Sequence, residues 1–125
     1  YNLKEQIGKL KEGGIRVSLF IDPDSAQIDM AKEINADDIE LHTGEYANAK
    51  DEQVIQAQLS RLIEGANHGH QIGLKINAGH GLTYFNTKPI ANLPYLEELN
   101  IGHSIIARSI YVGLQQAVRE MLALI

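Results

Sequence analysis

The chain contains no cysteine, which excludes disulfides, thiolate metal sites and cysteine nucleophiles. It also lacks any stretch near the roughly 18 unbroken apolar residues that a membrane span needs. Its charged start, Tyr1 to Lys11, has no signal-peptide apolar core, so a cytoplasmic protein with no membrane partner is expected. Basic residues are fewer than acidic ones, 11 against 16, and they are spread along the chain. That leaves no electrostatic footprint for nucleic acid and points instead to small-molecule chemistry. No low-complexity linker divides the 125 residues, and the expectation is one domain or part of one. Tyr1 is not an initiator methionine, so a processed end or a cut through a longer protein is expected.

What is present is a repeat of strand and helix signals. Leu3, Ile7 and Leu10 recur at helical spacing before the stop Gly13-Gly14. The β-rich run Ile15 to Ile21 ends at Asp22-Pro23-Asp24-Ser25 and predicts a strand, with Ser25 capping a helix through Ile28, Ala31 and Ile34 that Asn35 ends. A second strand is expected from Asp38 to His42, stopping at Thr43-Gly44. The longest helix is expected from Glu52 to His68, ended by Gly69, and a third strand from Gly73 to Asn77. Ile90, Leu93 and Leu96 suggest a short helix around Pro94, followed by a fourth strand from Glu98 to Ile101. The tail from Ser104 to Ile125 reads as helix with a break at Gly113, its stripe continuing through Leu114, Val118, Met121 and Leu122.

Four units of this size build a parallel sheet. They are half of the eight that close a (β/α)8 barrel, which typically takes about 250 residues. An open doubly wound sheet is the alternative, but its usual glycine-rich dinucleotide fingerprint is missing at Phe20-Ile21-Asp22-Pro23. The fold expected is therefore an α/β TIM barrel, of which residues 1–125 are the C-terminal half of a single domain.

Three strand ends share a pattern of a polar residue on or just after the strand, then a glycine and often a histidine: Ile39-Glu40-Leu41-His42-Thr43-Gly44, Lys75-Ile76-Asn77-Ala78-Gly79-His80-Gly81 and Leu99-Asn100-Ile101-Gly102-His103-Ser104. In a barrel these ends converge on one mouth, where reacting groups lie. Alternation puts Glu40 and His42 on one face of their strand, and Lys75 and Asn77 on one face of theirs. Glycines on both sides leave His80 free to reach a ligand, and its near-neutral reference pKa suits acid–base work. On the motif alone, a turn histidine without chemistry fits equally well. Gly102-His103-Ser104 opens a helix whose amides can hold a phosphate, although an ordinary N-cap by Ser104 fits the same spacing. His68 and His70 read as solvent-facing residues at a helix end. Zinc drawn from His42, His80 and His103 is not demanded by any ligand spacing. Glu97-Glu98 and Asp51-Glu52 read as solvated helix starts.

Four segments together carry a resemblance: Ser18-Leu-Phe-Ile-Asp22, Ile39 to Gly44, Asn77-Ala-Gly-His-Gly-Leu-Thr-Tyr84 and Glu98 to Arg108. The chain resembles the pyridoxine 5′-phosphate synthase family over nearly its whole length, and corresponds to the C-terminal half of that family's barrel. The resemblance implies a vitamin B6 biosynthetic enzyme of transferase type. It condenses 3-amino-2-oxopropyl phosphate with 1-deoxy-D-xylulose 5-phosphate to give pyridoxine 5′-phosphate, phosphate and water. His80 matches the family's proton donor and Glu40 a carboxylate that stabilises the transition state. Gly81, Gly102 and His103 match positions that bind the aminoketone phosphate. No redox cofactor or metal is implied, and a homo-oligomer, an octamer, is. The family's N-terminal strands, which supply two proton acceptors, have no counterpart here, so activity is expected only with that half present. The alternative is a non-catalytic phosphate-binding half-barrel or scaffold. Alone, the chain is expected to have two unpaired sheet edges. Those among Val17, Leu19, Ile39, Leu41, Leu74, Ile76 and Ile101 that face the barrel interior would lose half their core.

Overall fold

The computed structural model describes residues 2–125. Helix α1 (Leu3–Glu12) precedes strand β1 (Ser18–Ile21), α2 (Ser25–Glu33) and β2 (Asp38–His42). Two helices, α3 (Gly44–Asn48) and α4 (Glu52–Gln71), lead to β3 (Lys75–Gly79). Then come α5 (Thr87–Ala91), β4 (Leu96–Asn100), α6 (His103–Val112) and α7 (Leu114–Leu122). The strands pair in parallel in the order β1-β2-β3-β4. The fold is a parallel α/β sheet flanked by helices, and the sheet is not closed. Among the described residues no helix is long and apolar enough to cross a membrane.

Alternation decides what each sheet face does. Ile39, Leu41, Leu74 and Ile76 are buried in one core with Ile28 of α2 and Leu62 and Ala66 of α4. Leu19 and Ile101 pack against the same cluster. The expectation that some of these apolar residues face an open interior is thus corrected for Ile39, Leu41, Leu74 and Ile76, which lie in the helix-side core. The other face carries Phe20, Glu40, His42, Asn77 and Asn100. Burying one aliphatic side chain is worth about 1.5–3 kcal/mol, so each of Ile39, Leu41, Leu74 and Ile76 adds to the helix-side core.

Several boundaries differ from the sequence reading, each for a local reason. Asp24 rather than Ser25 caps α2, its side chain accepting from the Gln27 amide at 3.1 Å. Asn35 ends that helix at φ 69°. The first strand begins at Ser18 rather than Ile15. Helix α4 runs through Gly69 to Gln71, and the left-handed residue that ends it is Gly73 at φ 81°. Gly69 serves packing instead: a Cβ there would stand 2.8 Å from Ile76 Cδ1 and 2.9 Å from Ile39 Cδ1. Its absence lets the helix lie close on the sheet.

The short helix lies at Thr87–Ala91, ahead of Pro94, and Leu96 already belongs to β4. The pairing shifts register between Ile76 and Asn77, which partner Leu96 and Glu98. Glu97 is the extra residue, so Leu96 and Leu99 both reach the core at a spacing of three that imitates a helix. Glu97 and Glu98 are consequently strand residues and not a helix start, and Glu97 meets Lys75 at 2.7 Å. Asp51 does cap its helix, accepting from the Gln53 and Val54 amides.

Gly113 at φ 81° separates α6 from α7 as expected. The stripe on α7 is only partly used. Ala117 and Met121 are buried, while Leu114 and Leu122 are exposed, as are Ile106, Ile110 and Tyr111 on α6.

Candidate functional site

Polar side chains gather where the strands end. A cavity of about 570 Å3 opens there, lined by Phe20 of β1, Glu40 of β2, His80 and Gly81 after β3, and Asn100 to Ser104 at the end of β4. All five residues singled out from the sequence, Glu40, His80, Gly81, Gly102 and His103, line it. His68 and His70 do not. His68 pairs with Asp29 at 2.7 Å, and His70 stacks on Tyr95 with centroids 3.6 Å apart.

Backbone geometry aims His80. It sits at φ 82° and Gly81 at φ 75°, a left-handed pair that no ordinary strand end adopts and that a non-glycine residue holds at a cost of about 1 kcal/mol or more. The buried Thr43 hydroxyl lies 2.6 Å from the carbonyl oxygens of both Gly79 and His80, and its proton serves one of them at a time. This pins the turn to β2. Gly81 also abuts Ala47, which a Cβ would meet at 2.8 Å. Beyond it, Asn86 accepts from the Thr83 amide at 2.6 Å, and the Tyr46 hydroxyl donates to the Asn86 carbonyl at 2.9 Å. The loop that carries His80 is braced at both ends.

Glu40 stands opposite Asn77 in the β2–β3 register, and Asn100 Nδ2 donates to its Oε2 at 3.0 Å. Burial pushes its carboxyl above the ordinary range. The Asn100 hydrogen bond and the nearby His80 pull it back, while Glu98 pushes it further up. Gly79 makes room for it, since a Cβ there would collide with Glu40 Oε1 and approach the Asn100 carbonyl at 2.8 Å.

The start of α6 is open. Gly102 is its N-cap and no side chain caps the first turn. Ser104 is not the cap that the spacing allowed; its hydroxyl donates to the Leu82 carbonyl at 2.8 Å, tying α6 to the His80 loop. Uncapped amides at a helix start facing a cavity suit an anion. Among the described residues no group of three or more histidine, cysteine, aspartate or glutamate side chains is arranged as a metal site.

Sequence reasoning did not single out Phe20, Thr43 or Asn100 for this site. Asn100 had a signal, being the polar residue two positions before the Gly102-His103 pair. Thr43 had none beyond its turn position, because its partners are carbonyls 36 and 37 residues away.

Fold and site together define a parallel α/β layer whose one polar face ends in a cavity built from a histidine, a half-buried carboxylate and an open helix start. The family model described as pyridoxal phosphate biosynthesis protein PdxJ matches residues 1–125, and the chain belongs to that family. It is 54% identical over 119 residues to the pyridoxine 5′-phosphate synthase of Photobacterium profundum, covering 95% of this chain and 49% of that protein. The enzyme of the same name from Synechococcus sp. is 52% identical over 119 residues, covering 95% and 50%. That from Coxiella burnetii is 51% identical over 123 residues, covering 98% and 51%. The chain spans about half the length of the curated relatives it matches.

Proposed function

We propose that residues 1–125 form the C-terminal half of one (β/α)8 barrel domain, and that the completed protein is a pyridoxine 5′-phosphate synthase. The observation that carries this reading is the cavity at the strand ends, where His80, Glu40 and the open start of α6 meet in a member of this family. The sheet supports the barrel. Among the described residues β1 and β4 each have one unpaired edge, closure is the device that removes such edges, and the uncovered sheet face is the polar one.

The reaction joins 3-amino-2-oxopropyl phosphate to 1-deoxy-D-xylulose 5-phosphate, releasing inorganic phosphate and water. The phosphate of the aminoketone is held by the Gly102 and His103 amides, with Gly81 leaving space beside it. Fixing it there lowers the entropic barrier of a bimolecular step. The amine adds to the ketone, and loss of water from the adduct needs a proton delivered to the departing oxygen. His80 is that donor. The resulting cationic imine is stabilised by the Glu40 carboxylate, which Asn100 holds in place. The proton balance of these steps is met by ionisable side chains, and the reading includes no redox cofactor and no metal.

The protein works in the cytoplasm on phosphorylated small molecules, without nucleic acid or membrane partners, as a homo-oligomer. Exposed apolar side chains on α6 and α7 support further association, with the missing half or between copies. The deciding experiment supplies both phosphorylated substrates to a full-length protein carrying this chain and measures pyridoxine 5′-phosphate. Product is expected; phosphate binding without product would favour a scaffold. The chain alone is expected to be inactive and, in analytical ultracentrifugation, to self-associate or to pair with the complementary half. A soluble active monomer would overturn the half-barrel reading.

A further inference from the structure

His42, the last residue of β2, lies beside His80 yet does not line the cavity. Its Nδ1 is 3.2 Å from Oδ1 of Asp22, which follows β1. Phe20 meets the His42 ring edge-on, with centroids 5.0 Å apart and planes at 75°. The His80 ring lies 4.9 Å from His42 and 6.3 Å from Phe20. Gly44 closes the remaining side: a Cβ there would stand 2.6 Å from His42 Nε2 and 3.2 Å from His80 Cδ2. Three separate elements therefore meet around one imidazole, which has a carboxylate on one side and a second imidazole on another.

His80 needs such a support. Its neighbours in sequence are glycines, which offer no side chain to lean on, and it holds a left-handed backbone conformation at φ 82°. We propose that Asp22 and His42 are a positioning pair for His80. The Asp22 carboxylate accepts from Nδ1–H of His42, selecting that tautomer and fixing the ring plane. His42, with Phe20 behind it, then forms the wall that holds the His80 imidazole over the cavity. Asp22 is half exposed, so the pair adds little to stability, and its effect is orientation. Neither residue touches the cavity, so both act through His80. Misplacing a reacting group by about 1 Å costs on the order of a hundredfold in rate, enough to make an outer wall matter.

This inference rests on the role proposed for His80, and its test keeps the two apart. The full-length protein is labelled with 15N at histidine, and the ring nitrogens of His42 and His80 are read by NMR in the unmodified protein and in Asp22→Ala. Asp22→Ala is expected to move His42 from the Nδ1–H to the Nε2–H tautomer and to shift or broaden the His80 ring signals. Turnover is expected to fall about ten- to a hundredfold, with KM for the aminoketone phosphate unchanged within about twofold. Asp22→Glu, which restores an acceptor, should recover part of both. Gly44→Ala, which displaces His42 while leaving both histidines and Asp22 in the sequence, should reproduce the His80 signature; if it does not fold, Asp22→Ala at its exposed position still decides. His80 signals and turnover both unmoved in Asp22→Ala would overturn the pairing. If the unmodified protein makes no product, the functional reading fails, and the ring-nitrogen signals alone support or overturn the pairing.

Discussion

The two ends of the sheet handle charge in opposite ways. At the ends where the strands begin, Asp37 takes Lys11 at 2.7 Å and Asp38 takes Arg16 at 2.6 Å. Glu97 there takes Lys75 at 2.7 Å. Each of these carboxylates has a cation, as a largely buried one such as Asp38 requires. At the mouth, Glu40 accepts from the neutral amide of Asn100 and has His80 nearby, with a second carboxylate, Glu98, opposing both. One end is neutralised and structural. The other keeps an imperfectly compensated carboxylate beside a histidine in a left-handed turn, as expected of a site where reactivity is held at some expense to stability.

The largest effect that would sharpen this contrast is on turnover. In the full-length protein His80→Asn is expected to lower kcat by about 10²- to 10⁴-fold while KM changes little, because a proton donor acts in the transition state. Steady-state kinetics check this, and an unchanged kcat would remove His80 from the chemistry. Next comes packing at the mouth. Gly79→Ala drives a Cβ into Glu40 and toward the Asn100 backbone carbonyl, and should destabilise by about 1–3 kcal/mol in denaturant unfolding. A stability equal to that of the unmodified protein would mean the mouth is looser than its geometry.

Gly102→Ala separates fold from ligand. Gly102 has φ −117° and open space where a Cβ would go, so the melting temperature should stay where it is. The added methyl enters the proposed phosphate site, and KM for the aminoketone phosphate should rise about tenfold, roughly 1.4 kcal/mol. Unchanged KM would place the phosphate elsewhere.

The smallest effect lies in the pH dependence of unfolding. Burial raises Glu40, so its contribution to stability is present below the ordinary carboxylate range and is lost as pH rises through its folded pKa. The Lys11 hydrogen bond and the Val17 amide lower Asp37, so its contribution is present above the ordinary range and is lost as pH falls through its folded pKa. Glu40→Gln should flatten the first slope and Asp37→Asn the second, read as denaturation midpoints across pH. Slopes changing together, or in the opposite sense, would break the contrast between the ends.

Much of this was legible from local patterns. Helix stops at Gly13-Gly14 and Asn35, the break at Gly113 and the four strand runs are short-range chemistry, and they were read within a few residues. That the strand ends bearing Glu40, His80, Gly81, Gly102 and His103 gather followed from one rule, that parallel strands present their C-terminal ends together, while the choice of these five rested on the family resemblance. The misreadings came where tertiary packing outweighed local preference. A glycine inside a helix costs about 1 kcal/mol relative to alanine, yet α4 continues through Gly69 because Ile39 and Ile76 occupy the space beside it. Leu96 and Leu99 keep a helix-like spacing of three because an extra residue, Glu97, resets the alternation of β4.

The sequence by itself determined the order of elements, the parallel α/β class and the strand ends that meet at the cavity, since these depend on periodicity and on residues only a few positions apart. Tertiary structure alone decided which sheet face the helices cover, because alternation supplies two faces but does not say which one meets the helix layer. It also decided the partners of the site. Asn100 reaches Glu40 across 60 positions, and Asp22 reaches His42 across 20. Such contacts are set by strand register and by the angle at which each loop leaves the sheet, and no short-range pattern encodes either.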